Sequence, residues 1–229
     1  SVGGKALLVH ILEKVHRLPL VDEIVIVTNQ RFYPQFQQWL AGYPRNAQKI
    51  TLLNDGTKTN EDRLGALGDI VFALSALSDH EDVLVVAGDN LFDFSLTDFL
   101  QFYHQKKCSV VALYDLQDKQ KAASRYGVAE INGQQELVGF EEKPLVPKSS
   151  LASTACYLFP AATVQKLQHY RSQYANHDNL GDFIAWLVEN DTVYGFQFTG
   201  MWYDIGTPDQ LAEADQLFLK RKPTASFSH

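Results

Sequence analysis

"VLVVAGDNLFD", Val83 to Asp93, is the stretch on which the fold turns. Val83 to Val86 run without a polar break, as in a strand covered on both faces. The run stops at Gly88, and an acid and an amide follow at once, Asp89 and Asn90. Open α/β sheets bind ligands in the crevice beyond the carboxyl ends of their strands. An acid at such an end is held by the strand behind it, and glycine lets the backbone turn and approach a ligand. A hard cation such as Mg²⁺ takes carboxylate oxygen, commonly from one or two protein carboxylates together with substrate phosphates. The competing reading makes Asp89 a cap for the next helix or turn, and the spacing alone does not separate the two.

Outward from this stretch, helix and strand alternate. Leu8, Ile11, Leu12 and Val15 fall at helical spacing. "EIVIVT" (Glu23 to Thr28), "KITLLND" (Lys49 to Asp55) and "CSVVALY" (Cys108 to Tyr114) read as strands, separated by helices at "FYPQFQQWLAG", "ALGDIVFALSAL" and "LTDFLQFYHQKK". This alternation predicts an α/β fold with a mixed, mostly parallel sheet flanked by helices. After Asp115 the pattern changes. "YGVAEINGQQELVGFEEKP" sets Asn132-Gly133 between two strand-like runs, which predicts a β-hairpin excursion. "TACYLFP" is a further strand, and "ATVQKLQHY" and "LGDFIAWLVEN" are helices. "IGTPDQLAEADQLF" starts a last helix, with Thr207 as cap, Pro208 in the first position and Gln210 three past the cap. The expected domain spans 1–219, followed by a basic, frayed tail at 220–229.

Composition narrows the function classes. A net charge of -7 disfavours nucleic acid as a partner, because a phosphate backbone needs a basic face. Cys108 and Cys156 lie far apart in strand-like runs, which fits reduced, buried thiols in a cytoplasmic protein. No apolar run is long enough to cross a bilayer and no signal peptide opens the chain, so no membrane partner is expected. The seven histidines show no metal-ligand spacing, and no serine sits in a G-x-S-x-G elbow.

Further segments could carry chemistry. In "GMWYDIGTPDQL", Asp204 follows Trp202 and Tyr203, and Thr207 already supplies the helix cap. Asp204 is then free to bind a metal with Asp89, an Asx-turn being the competing role. "GFEEKP" ends a hairpin strand with Glu141, Glu142 and Lys143; the lysine offers a point charge to a phosphate and a glutamate can accept from sugar hydroxyls. In "NEDRLGALGDI", Gly65 and Gly68 flank a helix start, where outward N–H groups favour an anion or a flat ligand. It matches neither the dinucleotide fingerprint nor a P-loop. Helix packing is the alternative for both glycines.

Taken in order, "GKALLVHILEKV", "VDEIVIVTN", "LGALGDI", "VLVVAGDN", "YGVAEI", "GFEEKP", "STACYLFP" and "WYDIGTPDQL" resemble the sugar-1-phosphate nucleotidyltransferases, from Gly4 to about Leu217. That resemblance implies a Rossmann-like nucleotidyltransferase fold and a Mg²⁺-dependent reaction of an NTP with a sugar-1-phosphate, giving an NDP-sugar and pyrophosphate. Carried over by motif, Asp89 and Asp204 are the metal ligands, Lys143 holds the sugar's phosphate, Asn90, Glu142 and Gly127 lie on the substrate, and Gly65 lets the nucleobase approach.

The same resemblance implies a glycine-rich G-x-G-T-R-x-x-P loop and a P-K pair just ahead of Gly4-Lys5. Their absence from the chain predicts poor turnover by these 229 residues and an unpaired sheet edge that favours self-association into a homo-oligomer. Lys5 matches a later position in the pattern and is not a substitute. "NEDRLGALGDI" lacks the glutamine of the usual thymidylyltransferase loop, so the base stays open. The other readings are a non-catalytic nucleotide-sugar-binding module, a phosphocholine-type cytidylyltransferase, and a glycosyltransferase of similar fold.

Overall fold

The computed structural model describes residues 1–44, 48–59, 61–77, 81–174 and 178–220, so the expected tail beyond 220 lies outside the described residues. The first helix, α1 (Leu7–Val15), buries Ile11, Leu12 and Val15 and half-buries Leu8, the stripe its spacing predicts. β1 (Glu23–Thr28) and β2 (Lys49–Asn54), joined through α2 (Tyr33–Gly42), pair in parallel from Glu23 opposite Lys49 to Thr28 opposite Asn54. α3 (Gly65–Ser75) leads to β3 (Val83–Val86), and a turn through Gly88 and Asp89 leads to the short β4 (Asn90–Phe92). α4 (Leu96–Lys106) is capped by Ser95, whose hydroxyl accepts the Asp98 N–H at 3.2 Å.

β5 (Ser109–Asp115) and a single 3₁₀ turn (Lys119–Ala122) precede the hairpin of β6 (Val128–Ile131) and β7 (Leu137–Glu141). Then come β8 (Leu151–Phe159), α5 (Ala161–Gln173), α6 (Leu180–Asn190), β9 (Val193–Phe198), β10 (Trp202–Asp204) and α7 (Pro208–Lys220). α7 begins as its sequence predicts, with the Gln210 N–H on the Thr207 hydroxyl at 3.2 Å. The Gln210 side chain reaches back one residue further, to the Gly206 N–H at 2.9 Å.

The main sheet runs β7-β6-β8-β5-β9, with β3 on β8. It is mixed. β8 lies antiparallel to both β3 and β5, so those two run the same way, and β9 follows β5 in parallel. The expected predominance of parallel strands therefore holds for direction, whereas parallel neighbours are confined to β1–β2 and β5–β9 among the described pairs. One reversed strand, inserted between two of like direction, converts parallel neighbours into antiparallel ones.

β8 carries a bulge. Ala155 has φ +51°, the register with β5 shifts there, and the Ala155 carbonyl accepts the Ala87 N–H at 3.0 Å. That bond fixes the end of β3 just ahead of Asp89, a placement of the kind bulges provide beside functional sites. The hairpin also departs from a tight two-residue turn. Asn132 accepts the Gln134 and Glu136 N–H groups on its side chain, and the left-handed residue is Gln135 (φ +66°), not Gly133. The loop thus has the longer, bulged form, with a register shift at Glu130/Ile131.

Two apolar layers cover the sheet. Leu67, Leu167, Phe183, Ile184 and Leu187 pack α3, α5 and α6 on one face against Val111, Leu113 and Phe159. Ile11, Val15, Phe99 and Tyr103 pack α1 and α4 on the other against Val110, Ala112 and Leu158. Phe99, Phe159 and Phe183 are fully buried, each contributing about 1.5–3 kcal/mol relative to an exposed ring. α7 closes a third, smaller cluster with Val2, Leu91, Met201 and Ala214.

Among the described residues β1 pairs only with β2, and β3 only with β8, so each presents an open edge, and every residue of both strands is half-buried. No helix of the described residues is long and apolar enough to cross a membrane.

Candidate active site

Asp89 and Asp204 arrive together through strand pairing. β4 and β10 run antiparallel with Asn90 opposite Asp204, and the Ile205 N–H donates to the Asp89 carbonyl at 2.9 Å. The acids are thereby set side by side at the carboxyl end of β3. Asp204 is half-buried. Burial pushes its carboxyl above the usual carboxylate range, the charge of Asp89 adds to this, and Arg125 and Lys143 oppose it. Neither acid caps a helix, since Ser95 and Thr207 do that work. Asp89 itself is exposed, and its Oδ1 accepts from the Asn90 side-chain amide at 2.8 Å. Asn90 is only 3% exposed, and its Oδ1 accepts the Trp202 indole N–H at 2.5 Å.

Lys143 follows β7 with φ +45°, a left-handed conformation uncommon for a residue with a side chain and of the sort that collects at functional sites. Its ammonium lies 3.6 Å from Glu142 Oε1 and is half exposed. Glu142 points inward. Burial raises its carboxyl above the ordinary range, with Lys143 opposing and Asp182 adding. Its Oε2 is cradled by two glycines: a Cβ on Gly127 would lie 3.0 Å from it, and one on Gly181, in the first turn of α6, would lie 1.8 Å away.

Gly65 begins α3 with φ +73°. The space a side chain would take there is filled by Asp178, whose Cβ would be 2.4 Å from the added atom. Asp178 also accepts the Leu67 N–H on its carbonyl (3.1 Å) and pairs with Arg63 (3.2 Å). The structure therefore gathers Asp89, Asp204, Lys143, Glu142 and Gly127 at one place, with Asn90 beneath them. Gly65 lies on the α3 side, joined to the group through Asp178 and the start of α6. Deeper in α3, Asp69 has one oxygen without a partner among the described residues, and burial together with the neighbouring Asp55 pushes its carboxyl up to about 6.

Three contributors escape a reading of the sequence: Arg125, Trp202 and Gly181. Arg125 lies over the Tyr126 ring at 4.9 Å, donates to the Tyr126 hydroxyl at 2.8 Å, and makes no carboxylate pair among the described residues. Its signal is its place directly ahead of "YGVAEI". Together with Tyr114, Tyr126, Trp202, Asp204 and Gln210 it lines a cavity of about 180 Å³.

Two carboxylates that repel each other suit a hard cation, which relieves the repulsion. Among the described residues no third acid, histidine or cysteine joins them. A cation held by these two acids would take its remaining coordination from phosphate or water oxygen.

A family model described as nucleotidyl transferase matches residues 1–221. The bifunctional protein GlmU of Methanocaldococcus jannaschii is 26% identical over 220 residues, 96% of this chain and 48% of that protein. A glucose-1-phosphate adenylyltransferase of Clostridium botulinum is 31% identical over 147 residues, 62% of this chain and 37% of that protein. The chain thus spans about half the length, or less, of these curated relatives. Among solved structures, a candidate glucose-1-phosphate thymidylyltransferase from Bacillus anthracis, in complex with a sucrose, matches with TM-score 0.75 at 22% identity, over 97% of this chain and 86% of that one. A UDP-glucose pyrophosphorylase complexed with UDP-glucose matches with TM-score 0.76 at 20% identity, over 94% and 87%. These likenesses establish the Rossmann-like fold.

Proposed function

The chain belongs to the nucleotidyl transferase family, and on that premise we propose that it is a cytoplasmic enzyme transferring a nucleoside monophosphate from an NTP to a sugar-1-phosphate. An NDP-sugar and pyrophosphate are the products. The observation that carries this reading is the β4–β10 pairing, which sets Asp89 beside Asp204 within electrostatic reach of Lys143.

The residues divide the work by charge. Asp89 and Asp204 would hold Mg²⁺, which when bound would neutralise negative charge at the α-phosphate. The Lys143 ammonium acts as a point charge on the sugar's phosphate. Glu142, kept inward by its glycine cradle, accepts hydrogen bonds from sugar hydroxyls beside Gly127, where a Cβ would meet the Phe140 ring at 2.5 Å. An oxygen of the sugar-1-phosphate attacks the α-phosphorus, and the bond to the departing pyrophosphate breaks. The nucleophile is already anionic, so the site needs positioning and charge neutralisation rather than a strong base. Nothing in the geometry or the comparisons favours the non-catalytic module or the cytidylyltransferase.

The test is pyrophosphate release by the natural full-length protein, using each NTP with a panel of sugar-1-phosphates, with and without Mg²⁺. Mg²⁺-dependent pyrophosphate release matched by NDP-sugar supports the reading. NTP binding without release, whatever the sugar-1-phosphate, overturns it.

A further inference from the structure

Trp202 is buried, 9% exposed, and sits two residues before Asp204 on β10. An indole N–H can only donate, whereas an asparagine amide has one accepting end and one donating end. With Trp202 donating to it, Asn90 must turn its carbonyl toward the indole, and its NH₂ group is left facing Asp89. A carboxylate can only accept, so one amide orientation alone satisfies both neighbours. The chain of bonds is short, at 2.5 Å and 2.8 Å, and its first two members are buried, where hydrogen bonds are strongest and best fixed.

We infer that Trp202 and Asn90 are positioning residues, a relay that fixes the Asp89 carboxylate for its metal. The relay ties Oδ1 of the exposed Asp89. Asn90 thus acts through Asp89, having both ends of its amide engaged within the protein, rather than by touching substrate. Groups that bond to metal ligands commonly set metal affinity by tenfold to a hundredfold when removed. The inference rests on the assignment of Asp89 to the metal, and the experiment separates the two.

The experiment measures Mn²⁺ affinity by electron paramagnetic resonance, with Mn²⁺ alone as the probe, alongside thermal unfolding. Trp202→Phe keeps an aromatic ring against Tyr114 and Tyr126 but removes the N–H. Asn90→Asp keeps an acceptor for Trp202 but presents no donor to Asp89. Both are expected to weaken Mn²⁺ binding by roughly tenfold or more. Phe99→Leu, a buried change on α4 outside the relay, is expected to lower the melting temperature and leave Mn²⁺ affinity unchanged. If Asp89→Asn abolishes Mn²⁺ binding while Trp202→Phe and Asn90→Asp leave it unchanged, the relay is overturned and the metal site stands. If Phe99→Leu weakens binding as much as Trp202→Phe, the effect is general destabilisation and the relay is again overturned. Unchanged binding in Asp89→Asn overturns both.

Discussion

Gly181 lies so close to Glu142 that a methyl group on its Cα would fall 1.8 Å from Glu142 Oε2. No side chain fits between the first turn of α6 and this carboxylate. Gly181→Ala is therefore expected to push Glu142 out of place and raise the KM for sugar-1-phosphate roughly tenfold, about 1.4 kcal/mol, with little change in the KM for NTP. Adding Glu142→Asp, one methylene shorter, should restore part of the loss. Steady-state kinetics on both variants decides it: equal losses for both substrates with no recovery would show that Gly181 only supports the fold.

Asp204 is half-buried beside a like charge, so its ionised form destabilises the unliganded protein. Asp204→Asn should then melt at a somewhat higher temperature than the parent, yet lose the stabilisation that NTP plus Mg²⁺ confers and at least about a hundredfold in turnover. Asp89→Asn should lose the same ligand stabilisation while keeping its fold. Differential scanning fluorimetry with and without NTP and Mg²⁺ reads both, and undiminished ligand stabilisation in either variant would count against the shared metal.

Lys143→Ala should act on one substrate. The KM for sugar-1-phosphate is expected to rise tenfold or more, a loss on the order of 1.5–3 kcal/mol for a hydrogen bond to a charged group. Affinity for NTP should stay nearly constant. A loss confined to NTP would move Lys143 to the other half of the reaction.

Asp69 gives a signature in pH. Its carboxyl is raised from an ordinary 3.8 to about 6, so between these values the folded chain holds a proton that the unfolded chain has released. The stabilising contribution is complete below about pH 4 and is lost as pH rises through about 6. Asp69→Asn should flatten that part of the stability profile and raise stability at pH 7. The gain is on the order of 1–2 kcal/mol once discounted for partial exposure. Urea denaturation at pH 4, 5, 6 and 7 measures it, and parallel profiles for the two proteins would refute the assignment.

The elements that sequence could reveal are those with a full period of their own. "EIVIVT" and "LGDFIAWLVEN" coincide with β1 and α6 because each repeats its apolar pattern over the whole element. β9 was missed because Gly195 and Gln197 interrupt its pattern, and Gly195 is there for packing: a Cβ would fall 2.5 Å from Leu113. β4 and β10 have three residues each, too short to show a period at all. Asp89 and Asp204 were legible as isolated acids after a strand and before a helix. Their neighbourhood depends on the β4–β10 ladder, a long-range pairing with no local signal. For the same reason Trp202 and Gly181 looked like core and helix residues, since what they do is defined by Asn90 and Glu142 across the fold.

The β4–β10 ladder has one more consequence. A three-residue pairing is a short clasp, and with the Ile205 and Trp202 hydrogen bonds it sets Asp204 opposite Asn90, next to Asp89. An ion held by both acids would rivet that clasp shut, so that ion binding and the locking of α7 against the body would be a single event. Amide exchange at Ile205, whose N–H crosses to Asp89, is the place where that locking would register first.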